Sequence, residues 1–188
     1  MKKIYILSLF AIAFGERVFF DLGPNIELVT TAMILSSFYF DKKASFWLTF
    51  AIIALSDRII GNSNIFLFTW SGFLIPSILL SKFFRNSKLK IRNSLWKTIS
   101  LTGTGLLTNL FFYMHTNLGV WLIGNLYPKT TSGLLMSYIN ALPFLRYQLT
   151  STLIFVPIGF LLTEVVISLI RKYQLIYKFS HFLSFNQT

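Results

Sequence analysis

The chain has 188 residues, of which 54% are hydrophobic and only 12% charged, and its mean hydropathy of +0.65 excludes an ordinary soluble domain. Its net charge of +11 does not point to nucleic acid, because the Lys and Arg residues fall between apolar runs and not on one face of a soluble unit. With no cysteine there is no disulfide framework, thiolate nucleophile or cysteine-held metal, and two distant histidines offer little for zinc, so neither metal nor cofactor is expected.

The predicted class is all-α, a single integral membrane domain over residues 1–188. Apolar runs near 4–20, 26–40, 44–60, 65–81, 96–114 and 149–170 predict six transmembrane helices. The first follows Met1-Lys2-Lys3, and Ala11 and Ala13 resemble a signal-peptide cleavage site; apolar character resumes at Val18–Phe20, which favours an uncleaved span. Ala11 and Gly15 also give a small-xxx-small spacing for close helix approach. At roughly 1.5 Å per residue the longer runs approach the ~30 Å hydrocarbon core, whereas the second is short and the first and third need charged ends to cross. Pro76 and Pro157 fall inside helical runs and predict kinks. Between spans five and six, Gly119, Gly124, Pro128, Gly133 and Pro143 predict a loop over 118–148 carrying a short interfacial helix near Ser132–Ala141.

Lys and Arg set the orientation. Lys2, Lys3, Lys42, Lys43, Lys82, Arg85, Lys88, Lys90, Arg92, Lys97, Arg171, Lys172 and Lys178 fall on one side, and Arg17, Arg58, Lys129 and Arg146 on the other. This thirteen-to-four bias predicts that both termini are cytoplasmic. Glu16, Arg17, Asp21, Glu27, Asp57, Arg58, His115 and Arg146 then gather at the outer face, where opposite charges are expected to pair. Glu164, toward the cytoplasmic end of span six, is expected to pair with Arg171 or with the basic loop between spans four and five.

The stretch Thr108–Trp121, TNLFFYMHTNLGVW, closes span five and concentrates polar groups at the predicted outer surface. Polar side chains are costly in hydrocarbon unless partnered or beside water, so the cluster marks a pocket mouth. Asp57 and Arg58 offer charge, Asn109, His115, Thr116 and Asn117 hydrogen bonds, and Trp121 and Tyr127 stacking surfaces for a small polar or aromatic-containing ligand. The plainer alternative is a set of interfacial salt bridges that orient helices.

FDLGPNIELVTTAM, ALSDRIIGNSNIF, TNLFFYMHTNLGVW and LYPKTTSGLLMSYINALPFL occur in this order over roughly Arg17 to Gly159. Together they resemble an uncharacterised bacterial membrane family that is similar to the substrate-binding (S) subunits of energy-coupling-factor transporters. The matching positions are Asn25; Ser56, Asp57 and Gly61; Thr116, Asn117 and Trp121; Tyr127, Pro128, Thr130, Gly133 and Leu134; and Pro143 and Phe144. The chain departs from that family at Thr152, where an Asp opens span six, and at Ser151, where a Gly stands. The resemblance implies a six-helix S-subunit fold in the bacterial inner membrane. It also implies capture of a vitamin- or nutrient-like molecule outside, with a transmembrane coupling subunit and two ATPases as partners. No G-x-x-x-x-G-K-S/T phosphate loop is present, so energy would come from those partners.

Two rivals belong to other classes. A rhomboid-like intramembrane serine hydrolase would use Ser71, in Thr69-Trp70-Ser71-Gly72, with His115, and would need the two within hydrogen-bond reach. Thr69 stands where the rhomboid-like motif has Gly, and His115 lies in an earlier span than that family's histidine, so no enzyme is expected. A membrane scaffold without transport activity would make the outer polar cluster purely structural.

Overall fold

The computed structural model describes residues 2–20, 22–23, 25–61, 64–86 and 93–185, with side chains to residue 173 except at residue 86. Asp21, Lys88, Lys90, Arg92 and the side chain of Lys178 lie outside the described residues. Among the described residues six α-helices follow one another: α1 Lys2–Gly15, extended by a π-helical turn Glu16–Phe20; α2 Val29–Tyr39; α3 Lys42–Ile60; α4 Phe66–Asn86; α5 Ser94–Ile123; and α6 Thr131–Phe185.

α2 is the centre. Every residue from Val29 to Ser37 is buried, and α1, α3, α4, α5 and α6 all pack around it. A helix apolar on all faces must be enclosed on all faces. Three of its polar residues are tied to neighbouring helices: Thr30 meets Asn109 Oδ1 of α5 at 3.3 Å, and Ser36 and Ser37 meet the Ser45 hydroxyl of α3 at 3.1 and 2.7 Å. On the far side, α6 passes close because residue 159 is glycine; a Cβ there would stand 3.0 Å from Leu35 Cδ1. Phe38, Phe84 and Phe160 close the packing edge to face, with ring centres 5.6 and 6.0 Å from Phe38.

The exterior is the reverse. Leu7, Ile12, Leu79, Leu107, Leu153 and Leu162 are exposed, while Ser45, Thr49, Ser56, Ser77 and Asn109 are buried. Two helices, Phe66–Arg85 and Thr131–Tyr173, are long and apolar enough to cross a membrane, with mean hydropathy 1.4 and 2.5.

The alternating helices place Lys2, Lys42, Lys43, Lys82, Arg85 and Lys97 at one end, and Glu16, Arg17, Glu27 and Asp57 at the other. At the basic end Asp41 caps α3, accepting from Ala44 N at 2.9 Å and from Lys2 Nζ at 2.8 Å.

Two expectations change. Residues 118–148 are not a loop with a separate interfacial helix: α5 continues to Ile123, and α6 runs unbroken from Thr131 through Pro143 and Pro157. The residues that read as breakers build a tight helix–helix connection instead. Lys129 Nζ donates to the carbonyls of Trp121, Leu122 (3.2 Å) and Gly124 (2.6 Å), capping the free carbonyls and negative dipole end of α5. Thr130 Oγ1 accepts from Gly133 N at 3.2 Å to start α6, and Gly133 is required because a Cβ would strike the Pro128 carbonyl. Glu164 accepts from Tyr39 Oη at 2.6 Å and forms no ion pair among the described residues, Arg171 included; the basic residues 88, 90 and 92 of the α4–α5 loop lie outside the described residues.

Candidate functional site

The end of the bundle opposite the basic residues holds a polar network reaching all six helices. Arg17, on the π-helical turn after α1, is its hub. Its Nη2 donates to Asp57 Oδ1 of α3 at 2.6 Å, and its Nη1 lies 3.8 Å from Glu27 Oε2 in the α1–α2 connection. Asp57, 5% exposed, also accepts from Trp70 Nε1 of α4 at 2.7 Å. Thr30 of α2 stands between Glu27 Oε1 at 3.1 Å and Asn109 Oδ1 of α5 at 3.3 Å. Asn109, 1% exposed, donates through Nδ2 to Thr152 Oγ1 at 2.7 Å and to the Gln148 carbonyl at 2.9 Å, both on α6.

The backbone of the α1–α2 connection is held as firmly. Ser151 Oγ donates to the Glu27 carbonyl at 2.9 Å and accepts from Glu27 N at 3.2 Å, while Leu28 N donates to Glu16 Oε2 at 3.1 Å. Gly23 and Asn25 adopt φ of 123° and 60°, so this short segment folds back over the helix ends. A π-helical turn widens the helix locally and is frequent at functional sites; here it carries both Glu16 and Arg17. One donor is left over: Arg17 Nε is buried and has no hydrogen-bond partner among the described residues.

Of the candidate ligand-binding residues, the structure brings two into this network, Asp57 and Asn109, and of the outer charged cluster it also brings in Arg17 and Glu27. Arg58 is exposed on α3, one residue beyond. Thr116 Oγ1 and Asn117 Nδ2 donate to their own helix, at the carbonyls of Phe112 (2.8 Å) and Tyr113 (2.7 Å). Trp121 and Tyr127 belong to the α5–α6 connection, where Trp121 Nε1 donates to the Pro128 carbonyl at 3.1 Å and Tyr127 Oη accepts from Asn140 Nδ2 at 3.3 Å. Gly61, with φ of 89°, ends α3 by donating its N–H to the Asp57 carbonyl at 2.9 Å.

Sequence reasoning expected the charges of Arg17, Glu27 and Asp57 to pair, as they do, but missed the hub role of Arg17 and the parts played by Thr30, Trp70, Gln148, Ser151 and Thr152. A signal existed for the last two, which are the positions where the chain departs from the family it resembles. Among the described residues no group of three His, Cys, Asp or Glu side chains is placed to hold a metal ion.

A second polar pair lies apart. Ser71 Oγ of α4 and His115 Nε2 of α5 are 2.8 Å apart, and the imidazole stacks on Phe111 (5.4 Å between ring centres, 10° between planes) with Phe68 at 5.1 Å. Ser71 Oγ also donates to the Leu67 carbonyl at 2.5 Å. With its single proton committed there, the hydroxyl accepts from His115 Nε2–H.

Over residues 1–176 the chain matches a family of unknown function (DUF6580), and it belongs to that family. No curated protein and no solved structure matches it significantly.

Proposed function

Starting from that family membership, we propose that the chain is a six-span inner-membrane protein, both termini cytoplasmic, that binds a small nutrient-like molecule at its outer end. On this reading it is an S-subunit-like component of an uptake transporter, energised by a separate coupling subunit and ATPases. The membrane part is supported by apolar side chains outside and polar ones inside, by the two long apolar helices, and by the concentration of Lys and Arg at one end.

The observation that carries the binding part is the unpaired Arg17 Nε. A buried donor without an acceptor costs about 1–3 kcal/mol, and this one sits in a network whose other members are satisfied. A carboxylate or carbonyl oxygen of a small ligand would complete it, with Trp70 as the adjacent aromatic surface. Opening the α1–α2 connection would admit the ligand. Native mass spectrometry of the protein as isolated tests this: the parent should carry one small metabolite, and Arg17→Gln and Asn109→Ala should lose it. A protein that is empty and co-purifies with no ATPase or coupling subunit would favour the scaffold.

The Ser71–His115 pair supports a second reading, an intramembrane serine hydrolase, because the two groups lie within the reach that nucleophilic activation requires. Against it, the hydroxyl proton already goes to Leu67 O, and among the described residues no carboxylate is hydrogen-bonded to His115. A serine-directed probe in native membranes should not label the parent; labelling abolished by Ser71→Ala would make the hydrolase the better reading.

A further inference from the structure

A cleft of about 800 Å³ runs along the outside of the bundle between α1 and α6, with α2 as its floor. Each wall is one helical stripe. Tyr5, Leu9 and Ile12 come from α1, and Ile158, Leu162 and Val166 from α6, at the spacing of successive turns. Its size falls in the range of roughly 300–1,000 Å³ typical of ligand pockets.

The walls are apolar and one end is cationic. Lys2 and Arg171 both line that end, with Lys3, Lys42, Lys43 and Lys172 nearby in the chain, and Lys2 is paired with Asp41. Glu164 is bound by the Tyr39 hydroxyl. The Lys2–Asp41 pair is half exposed, at 55% and 50%, and such pairs are weak enough for a phosphate to share the ammonium. From Lys2 to Ala13 the α1 wall is about 16 Å long, the depth of one leaflet of a ~30 Å hydrocarbon core.

The width excludes a helix. Tyr5 Oη and Thr163 Oγ1 bridge the two walls at 2.7 Å, whereas a helix with its side chains needs about 10 Å. A single hydrocarbon chain can pass on the open side of this bridge and lie along the stripes of the two walls.

We infer that this cleft holds one anionic phospholipid from the leaflet at the basic end, with its phosphate between Lys2 and Arg171 and one acyl chain lying along α2. The inference rests on the membrane reading above and is independent of transport. The bound lipid would fill the gap between α1 and α6, which are otherwise joined through the Tyr5–Thr163 bond, and fix the angle of α1, whose far end carries Arg17.

The test is native mass spectrometry of the full chain released from vesicles of equimolar phosphatidylglycerol and phosphatidylcholine. The parent should retain one phosphatidylglycerol in preference to phosphatidylcholine. Ser8→Trp/Leu162→Trp, which fills the cleft from two surface positions, should lose it, and Leu107→Trp, on the exposed face of α5, should not. Each Lys or Arg near an anionic surface contributes about fivefold in affinity, so Lys2→Gln/Arg171→Gln should weaken retention about 25-fold. Equal retention of the two lipids, or an unchanged lipid count in the charge variant, would overturn the inference. If the tryptophan pair fails to fold, the charge variant decides, since its side chains are exposed. Arg17→Gln should leave lipid retention unchanged, which separates this site from the metabolite site.

Discussion

Asp57→Asn removes one charge from the centre of the polar network and leaves its shape. Asp57 holds two donors, Arg17 Nη2 at 2.6 Å and Trp70 Nε1 at 2.7 Å, and its side chain is 5% exposed. The amide oxygen can still accept from one of them, but its NH₂ then faces the other donor. Breaking a buried ion pair from one side costs about 3–5 kcal/mol, because the remaining charge is stranded. Glu27, 3.8 Å from Arg17 Nη1, moderates the loss and places it near the lower figure. For a chain of this size about 3 kcal/mol corresponds to a fall in Tm of roughly 6–12 °C. Thermal unfolding in mild detergent measures the shift, and Trp70 fluorescence reports the site directly. Arg17→Met/Asp57→Leu removes both charges of the pair and leaves only Glu27 without its cation and Trp70 Nε1 without its acceptor, so it should recover part of the loss. An unaltered Tm in Asp57→Asn, or a double variant as unstable as the two single changes added, would refute the account of Arg17 as the hub.

Gly119→Ala should destabilise by about 1–3 kcal/mol through overpacking, since its Cβ would overlap the Phe68 ring, and the same detergent unfolding assay checks it. Lys129→Met should fray the end of α5, seen as faster amide exchange at Trp121–Gly124, because three carbonyls lose their donor. Asp41 is held down to about 2 by its bonds from Lys2 and from Ala44 N, below its ordinary 3.8. Its folded value is depressed, so its contribution is complete above about pH 4 and disappears as pH falls through 2; unfolding of the parent and of Asp41→Asn should converge between those values. Cysteine placed at the amino terminus and near Lys129 should label from opposite sides of the membrane, and labelling from one side would overturn the six-span topology.

The helices were legible because length and hydropathy alone decide them: all six predicted runs correspond to α1–α6, and the α2 run was recognised as short. The long start of α6 was not, since Gly133 and Pro143 carry a breaking signal that tertiary contact overrides. Gly133 is demanded by the Pro128 carbonyl, and Lys129 seals the helix before it. Asp57 and Asn109 could be singled out from sequence because an isolated polar group in an apolar run must find a partner. Which partner Asp57 takes could not be read, for Arg17 lies 40 positions away, whereas Ser71 and His115, 44 apart, were named together only as what the hydrolase reading requires, and they stand 2.8 Å apart. Trp121, Tyr127 and Thr130 stood out as a motif, yet their bonds explain a turn between helices.

The shortness of α2 governs how the chain enters its final form. Eleven residues make a rod of about 16 Å, half of what a bilayer-crossing segment needs. Thr30, Thr31, Ser36 and Ser37 further lower its tendency to leave the insertion machinery for lipid on its own. Its serines find Ser45 only once α3 is made, and Thr30 finds Asn109 only after α5. On the proposed six-span reading, the segment destined for the middle of the bundle is the one that waits at the membrane surface during synthesis, and chains truncated before α5 should leave it there, open to protease.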